Sequence, residues 1–481
     1  MPERHRPSAS SAAVAFGVCW LAYFGVLQWS VVRYRVPIVL TLTAATIALA
    51  LWQWLGWRVS LTRAGVAVML AGSALATIAV PLFSYLSPSG LALATTVLVV
   101  VPLLVAALLW AGGARASRLA LGTVVLGYAA AAATAVVSSP RPRIDVWVTL
   151  QQASDALARG ENFYAMDWTG SPGIQDAFTY LPWTAVLLAP GRWLAGDIRW
   201  ALAFWTLTVV VAVALLARGA RGTGATTRHT PSSSWVWTTA AVACLLLLAP
   251  GTLTQLDQAW TEPLLLAGIA WWAVLVQRGR AWWAVVPLAL ACASKQHLAL
   301  LLPVLLLWRP FGWQRAVATG ALTGVLIAPW FLASPADFVH DTISLLVSFH
   351  HIKFANKLYM LALNTFGVTL PFWVTGLVVL GTLAAVCWTV WRRQPPLASL
   401  LRWLALVLLA ANLVNKQAFY NQFWLVGALV VLSLAVAGPT PGGRGEAEVS
   451  AGDRAAAPRG RGWPARRHTS PSDRPRSSAR R

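Results

Sequence analysis

The stretch PRPRIDVWVTLQQASDALARGENFYAMDWTGSPGIQDAFTYLPW, residues 140–183, forms most of the longest polar interval between hydrophobic segments of this chain. Five of the fifteen acids lie in it, namely Asp145, Asp155, Glu161, Asp167 and Asp176. No acid lies between Glu3 and Asp145. Acidic side chains are costly to keep in a membrane protein and usually have a function. We therefore interpret residues 139–179 as a functional loop and the hydrophobic segments around it as its scaffold.

The hydrophobic segments on both sides of this loop set the fold class. Of 481 residues, 58% are hydrophobic and only 11% are charged, whereas soluble domains carry about 25% charged residues. Apolar runs of roughly 17 to 25 residues, long enough to cross a bilayer, recur along the chain. The sequence predicts an all-α polytopic protein of the cell membrane with about 12–15 hydrophobic segments.

The formal net charge of +22 reflects arginines in short loops and in the last residues, not a nucleic-acid-binding module. Arginine-rich loops between spans are typically cytoplasmic. With these loops inside, residues 139–179 and 334–369 lie outside, together with all four lysines. This topology requires that Tyr180–Leu194, or another short segment, does not cross fully. Arg33 and Arg35 violate the rule.

Three regions follow from these patterns. Residues 1–118 are interpreted as additional N-terminal transmembrane helices, and residues 119–437 as the membrane core. Residues 438–481 are rich in Gly, Pro, Ser, Ala and Arg, with ten arginines and four acids. We predict that this basic tail is disordered and contacts lipid only loosely.

Asp145 is the first candidate for catalysis. It directly precedes a predicted amphipathic helix, Val146–Arg159, which Gly160 ends. A carboxylate at the membrane boundary is partly desolvated, which suits a general base that takes a proton from a hydroxyl. The alternative is a helix N-cap, and the two roles do not exclude each other.

Basic and amide side chains interrupt the later apolar runs. Lys295, Gln296 and His297 lie between two apolar segments, where they need protein, water or an anionic ligand as partner. They are candidates for phosphate binding, although Lys295 could also be a snorkelling interfacial lysine. The other candidates for phosphate contact are His350, His351, Lys353 and Lys416. The two histidines lack a third ligand with convincing spacing, so we predict no metal site.

Motifs for nucleotide cofactors are absent from the sequence: it has no P-loop and no dinucleotide fingerprint after a strand. The four cysteines lie in apolar runs and indicate neither a disulfide framework nor a metal site. The sequence therefore indicates no particular cofactor, and we expect a lipid-linked donor on the outer face.

Five blocks carry a resemblance to a known family: IDVWVTLQQASDALARGENFYAMDW, YLPWTAVLLAPGRWLAGDIRW, TQLDQAWTEPLLLAGIAWWAVL, ALACASKQHLALLLPVLLL and NKQAFYNQFWLV. In this order they resemble the GT-C superfamily of membrane glycosyltransferases. The most similar group is the actinobacterial polyprenyl-phosphate-mannose-dependent alpha-mannosyltransferase-like family, glycosyltransferase family 87. The resemblance covers roughly residues 119–437.

The resemblance implies a GT-C-like helix bundle that moves a sugar, with mannose as the first expectation and a pentose as another. The donor would be a polyprenyl-phosphate sugar, and the acceptor a cell-envelope lipid or glycan outside the cytoplasm. It implies Asp145 as base and Lys295, Gln296 and His297 near the donor phosphate. It also assigns Gln255, Trp260 and Glu262 to the site, in the block around Thr261 and Pro263.

The remaining polar and aromatic candidates complete the predicted sugar or acceptor site. Together with the family-derived residues they are Asp155, Asn162, Tyr164, Tyr180, Gln255, Asp257, Trp260, Glu262, Asn415 and Gln417. The competing interpretation is a transporter or flippase of a lipid-linked sugar, in which the same lysines bind phosphate without catalysis. A transporter is expected to show repeats and polar groups near the membrane midplane. A protein that binds an envelope lipid without chemistry is a third possibility.

Overall fold

The computed structural model describes residues 9–57, 59–80, 82–172, 177–219, 234–348, 351–416 and 418–436. Over these residues the regular structure is helical, without a β-strand, and the helices form one compact unit. The α-helices are α1 (Ala9–Ser30), α2 (Val36–Leu55), α3 (Arg63–Ala79), α4 (Pro88–Ala111), α5 (Gly113–Ser138), α6 (Asp145–Arg159), α7 (Trp183–Ala195), α8 (Arg199–Ala217), α9 (Ser234–Leu247), α10 (Leu253–Asp257), α11 (Glu262–Gln277), α12 (Val285–Cys292), α13 (Leu302–Leu307), α14 (Gly312–Ala333), α15 (Pro335–Val339), α16 (Leu345–Ser348), α17 (Leu358–Phe366), α18 (Phe372–Arg393), α19 (Leu397–Val414) and α20 (Tyr420–Ser433). Tighter or wider turns occur at Phe163–Ala165 and Gln296–Leu301 (3-10) and at His340–Ser344 (π).

Eight of these helices are long and apolar enough to cross a membrane: α1, α2, α4, α5, α8, α14, α18 and α19. Five more apolar helices of 10–17 residues include α3, α9, α11 and α20. The predicted all-α, multi-pass membrane fold is therefore confirmed. The predicted division at residue 118 stays a prediction, and the predicted disordered tail, residues 438–481, lies outside the described residues.

Most of the arginine-bearing loops begin at one end of the bundle. Contacts between these loops are Arg393 over the Trp54 ring (5.5 Å), the Arg309 amide with the Gln394 side chain (2.8 Å), Trp237 Nε1 with the Leu109 carbonyl (3.3 Å) and Gln277 with the Leu216 carbonyl (3.3 Å). This is the end that the positive-inside rule assigns to the cytoplasm. We call the opposite end the outer end.

Helix α7, the predicted Tyr180–Leu194 segment, begins and finishes at the outer end. The backbone before it is bonded to the turn after α12, from Leu181 N to the Ser294 carbonyl (3.2 Å). Just after it, the Arg199 guanidinium donates to the carbonyl of Ser139, where α5 leaves the bundle (2.6 Å). A 13-residue helix is about 20 Å long, short of the roughly 30 Å of a hydrocarbon core. The segment therefore does not cross the membrane. The remaining number of crossings agrees with a cytoplasmic position of the arginine-rich loops.

Helix α6 begins one residue before the predicted Val146 and ends, as predicted, at Arg159, where Gly160 adopts the left-handed conformation. Its apolar face is buried against α7. Two polar contacts join the helices, from Trp193 Nε1 to the Ser154 carbonyl (2.9 Å) and from Arg192 to both carboxylate oxygens of Asp155 (2.8 and 2.9 Å). The α6 part of the outer loop thus forms a helical layer over the bundle.

Candidate active site

A cavity of about 530 Å³ opens at the outer end, within the size range of small-molecule sites. The sequence-predicted residues that line it are Asp145, Tyr180, Trp260, Lys295, Gln296, His297 and Asn415. Further polar residues of the wall are Tyr85, Arg143, Thr179, Gln258, Asn412, Asn421 and Gln422. The structure therefore brings the predicted base and the central predicted phosphate ligands to one cavity.

Asp145 is the first helical residue of α6. Ile144, with an extended backbone, occupies the N-cap position, and Asp145 Oδ1 accepts a hydrogen bond from the Val146 amide (2.9 Å). The positive end of a helix dipole favours an anionic side chain at this position. Asp145 is therefore not the N-cap that the alternative expected. Its carboxylate satisfies the Val146 amide of the first turn and lines the cavity at the same time.

A buried ion pair holds the start of α6 from behind. Arg199 is fully buried, and its Nη2 lies 2.7 Å from Asp197 Oδ2. Asp197 also accepts from Trp147 Nε1 (3.0 Å), while Arg199 donates to the Ser139 carbonyl (2.6 Å). Both ends of the six-residue connection to Asp145 are therefore fixed. The sequence analysis did not predict this pair. An acid and an arginine two residues apart at the start of an apolar helix could have indicated it.

Lys295 lies at a break between two short helical segments. Its backbone is extended between α12 and the 3-10 turn that leads to α13. Its ammonium is paired with Glu262, which is fully buried, and lies 5.3 Å from the centroid of the Tyr180 ring. The attraction between the two charges offsets the desolvation free energy of burying the lysine, because only a close counterion compensates for the loss of water around a charge.

Gln296 joins the two outer loops beside the cavity. Its Nε2 donates to the carbonyls of Thr179 (3.0 Å) and Thr342 (3.2 Å). Near these bonds, Asp341 accepts from the Phe178 amide (2.8 Å). Both loops are therefore anchored to the Lys295 segment, and Gln296 has a positioning contact that the sequence did not indicate.

The profile of glycosyltransferase family 87 matches residues 178–415. Over this segment the chain belongs to glycosyltransferase family 87. The family that the five sequence blocks indicated is thereby confirmed. Lys295, Gln296 and His297 lie inside the family 87 segment, and we call them the family wall of the cavity. Tyr85, Arg143 and Asp145 lie before that segment, and we call them the N-terminal wall.

Among solved structures, this family 87 chain is similar to ArnT from Cupriavidus metallidurans, whose crystal structure has undecaprenyl phosphate bound. The identity is 16% and the TM-score 0.43; the similarity covers 70% of this chain and 64% of the ArnT chain, so the chain spans less than two thirds of that protein. No curated protein sequence matches the chain.

Several predicted residues do not line the cavity. Their contacts are Asp155 with Arg192, Asn162 with the Tyr164 amide, Tyr164 with the Tyr180 carbonyl, Asp257 with the Tyr85 amide, Glu262 with Lys295, His351 with the Tyr359 ring and Lys416 with the Val347 carbonyl. Gln255 is buried, Lys353 is exposed, and His350 and Gln417 lie outside the described residues. Their assignment to phosphate, sugar or acceptor stays a prediction; Tyr164, Asp257 and Glu262 each support a residue that does line the cavity.

Tyr85 and Arg143 were missed by the sequence reasoning. Tyr85 lies between α3 and α4, in a Ser- and Pro-containing stretch that resembles an ordinary loop, and its amide donates to Asp257, 172 residues later (3.0 Å). Arg143 is two residues before Asp145, so its proximity to the candidate base could have been a signal. Among the described residues, no group of three or more His, Cys, Asp or Glu is placed to hold a metal ion.

Proposed function

We propose that this protein is a membrane glycosyltransferase that moves a sugar from a polyprenyl phosphate to a lipid or glycan acceptor at the outer end. The observation that carries the proposal is the cavity at the outer end that Asp145, Lys295 and His297 line together. Family 87 membership supports sugar transfer, and the resemblance of the sequence blocks implies the polyprenyl-phosphate donor, with mannose as the sugar.

The chemistry needs two groups on opposite sides of the anomeric carbon. Asp145 accepts the proton of the acceptor hydroxyl, whose oxygen forms a bond to the anomeric carbon as the bond to the phosphate oxygen breaks. The electron pair of that bond leaves with polyprenyl phosphate. Lys295, His297 and the amides of Asn412 and Asn415 supply donors for the developing negative charge.

The deciding experiment is transfer of radiolabelled mannose from polyprenyl-phosphate-mannose to endogenous lipid or glycan, in membranes that contain the native protein or Asp145→Asn. We expect the variant to lose about 10²- to 10⁴-fold in transfer rate, because the amide cannot take the proton. Donor binding should persist. The matched control is Glu161→Gln in the same outer loop, because Glu161 pairs with the exposed Arg159, does not line the cavity and should retain transfer.

Equal transfer by the native protein and Asp145→Asn would reject Asp145 as the base. If the native protein binds the donor but transfers no label, repetition with polyprenyl-phosphate-arabinose separates a different sugar from a different function. Donor movement across the membrane without transfer of either sugar would favour the transporter.

A further inference from the structure

Tyr85 and Arg143 line the cavity although both lie outside the family 87 segment. Tyr85 comes from the connection between α3 and α4, and Arg143 from the connection between α5 and α6. The basic residues of the family wall, in contrast, all lie within residues 178–415. The two walls therefore come from different parts of the chain, which allows each to bind a different substrate.

Tyr85 is held rigidly beside the candidate base. Its amide donates to the buried Asp257 (3.0 Å), and its ring packs edge-on against Phe83, with centroids 5.3 Å apart. Burial raises the pKa of the Tyr85 phenol, the nearby Asp257 and Asp145 raise it further, and Arg143 opposes them. The phenol therefore stays protonated at neutral pH and is available as a hydrogen-bond donor.

Arg143 is an exposed cation at the same wall. The ion pairs between described residues are Arg159–Glu161, Arg192–Asp155, Arg199–Asp197, Lys295–Glu262 and His340–Asp341, so Arg143 belongs to none of them. It lies at the outer end, where the positive-inside rule disfavours arginine. An exposed guanidinium that lines a cavity against this bias suits an anionic ligand, since its planar donors match carboxylate or phosphate.

The position of Arg143 decides which substrate it contacts. In a displacement with inversion, the base and the leaving phosphate lie on opposite faces of the anomeric carbon, as in inverting glycosidases. Arg143 is two residues from Asp145, and both belong to the N-terminal wall. Its charge therefore lies on the side from which the acceptor enters, whereas Lys295 and His297 are available to the donor phosphate.

We propose that Tyr85 and Arg143 form the acceptor subsite of this cavity and that the acceptor carries an anionic group beside the hydroxyl that receives the sugar. This inference rests on the proposed function. Tyr85 donates a hydrogen bond to the acceptor, and Arg143 pairs with its anionic group. The acceptor class is then an anionic lipid or glycolipid.

The test separates membrane lipids into anionic and neutral fractions by anion exchange and offers each as acceptor with radiolabelled polyprenyl-phosphate-mannose. We expect label in the anionic fraction. Arg143→Gln should lower this transfer by at least about tenfold, because it removes a charge-assisted contact, and Tyr85→Phe by about three- to tenfold. Donor binding should be unchanged in both variants. Arg141→Gln is the matched control, since Arg141 is exposed in the same connection but does not line the cavity.

Label in the neutral fraction alone would overturn the inference, as would equal losses in Arg143→Gln and Arg141→Gln. Weaker donor binding by Arg143→Gln would assign the arginine to the donor instead. If the native protein transfers no label at all, the proposed function fails, and direct binding of the labelled anionic fraction to the purified protein decides the inference separately. Binding about tenfold weaker in Arg143→Gln than in Arg141→Gln would uphold it, and equal binding would reject it.

Discussion

The N-terminal wall and the family wall of the cavity are held in place by different ion pairs. Behind the N-terminal wall, Arg199 and Asp197 pair in the interior, and neither residue lines the cavity. In the family wall, the pair is Lys295 with Glu262, so one partner is itself a cavity residue. The first pair can therefore set only the position of Asp145, whereas the second sets both the position and the charge of the wall that we propose binds the donor phosphate.

The largest effect is expected behind the N-terminal wall. Asp197→Ala leaves the fully buried Arg199 without its counterion, which should lower the free energy of unfolding by about 3–5 kcal/mol. Thermal unfolding in detergent micelles measures this loss. Asp155→Ala is the control, because Asp155 and Arg192 are 38% and 35% exposed and such pairs contribute about 0–1 kcal/mol. Equal losses in the two variants would contradict the proposed support of α6.

The next effect separates charge from position in the family wall. Glu262→Gln should destabilise the protein by about 1–3 kcal/mol, less than loss of Asp197, because the Lys295 ammonium can still reach the cavity. The double variant Glu262→Gln/Lys295→Gln should recover much of that stability, since two neutral amides replace the pair. Its affinity for polyprenyl phosphate, measured by equilibrium binding, should nevertheless be lower than that of the native protein, because the Lys295 ammonium is lost. Native affinity in the double variant would exclude Lys295 from phosphate binding.

A smaller effect is expected where the family wall joins the outer loops. Gln296→Leu leaves the carbonyls of Thr179 and Thr342 without a donor, at a cost of about 1–2 kcal/mol in unfolding free energy. Because these bonds orient the loop that carries Tyr180, KM for the donor should rise as well. Gln152→Leu, which removes two exposed bonds to the Thr169 backbone, should change neither quantity appreciably. A stability loss without a change in KM would limit Gln296 to a structural role.

The smallest effect concerns Asp341, which supports the same junction. Burial raises the pKa of Asp341 above its ordinary value, so the folded state binds its proton more tightly than the unfolded chain. The resulting stabilisation is fully present below the ordinary pKa of about 3.9 and is lost as pH rises through the folded-state pKa. Asp341→Asn should therefore flatten the fall in melting temperature from pH 4 upward. An unchanged pH profile would show that another group causes it.

Much of this architecture was predictable because its causes are local. Apolar runs long enough to span a bilayer predicted the transmembrane helices, and the Gly160 stop with helical spacing predicted α6 to within one residue. The Lys295 segment was recognisable because hydrocarbon cannot solvate a run of lysine, glutamine and histidine. Each of these features depends on neighbouring residues and on the solvent around them, so the sequence carries it directly.

The contacts between residues of the site could not be predicted from the sequence in the same way. Glu262 was assigned to sugar binding, but in the tertiary structure it pairs with Lys295, 33 residues away. Tyr85 lines the cavity although two transmembrane helices, α4 and α5, separate it from Asp145 along the sequence. Helix α7 returns to the outer end instead of crossing. By itself the sequence determined the class of the protein, its helices and the polar groups available at its outer end. Only the packing of the helices decided which of those groups meet, because such contacts depend on the crossing and register of distant segments, for which local periodicity carries no information.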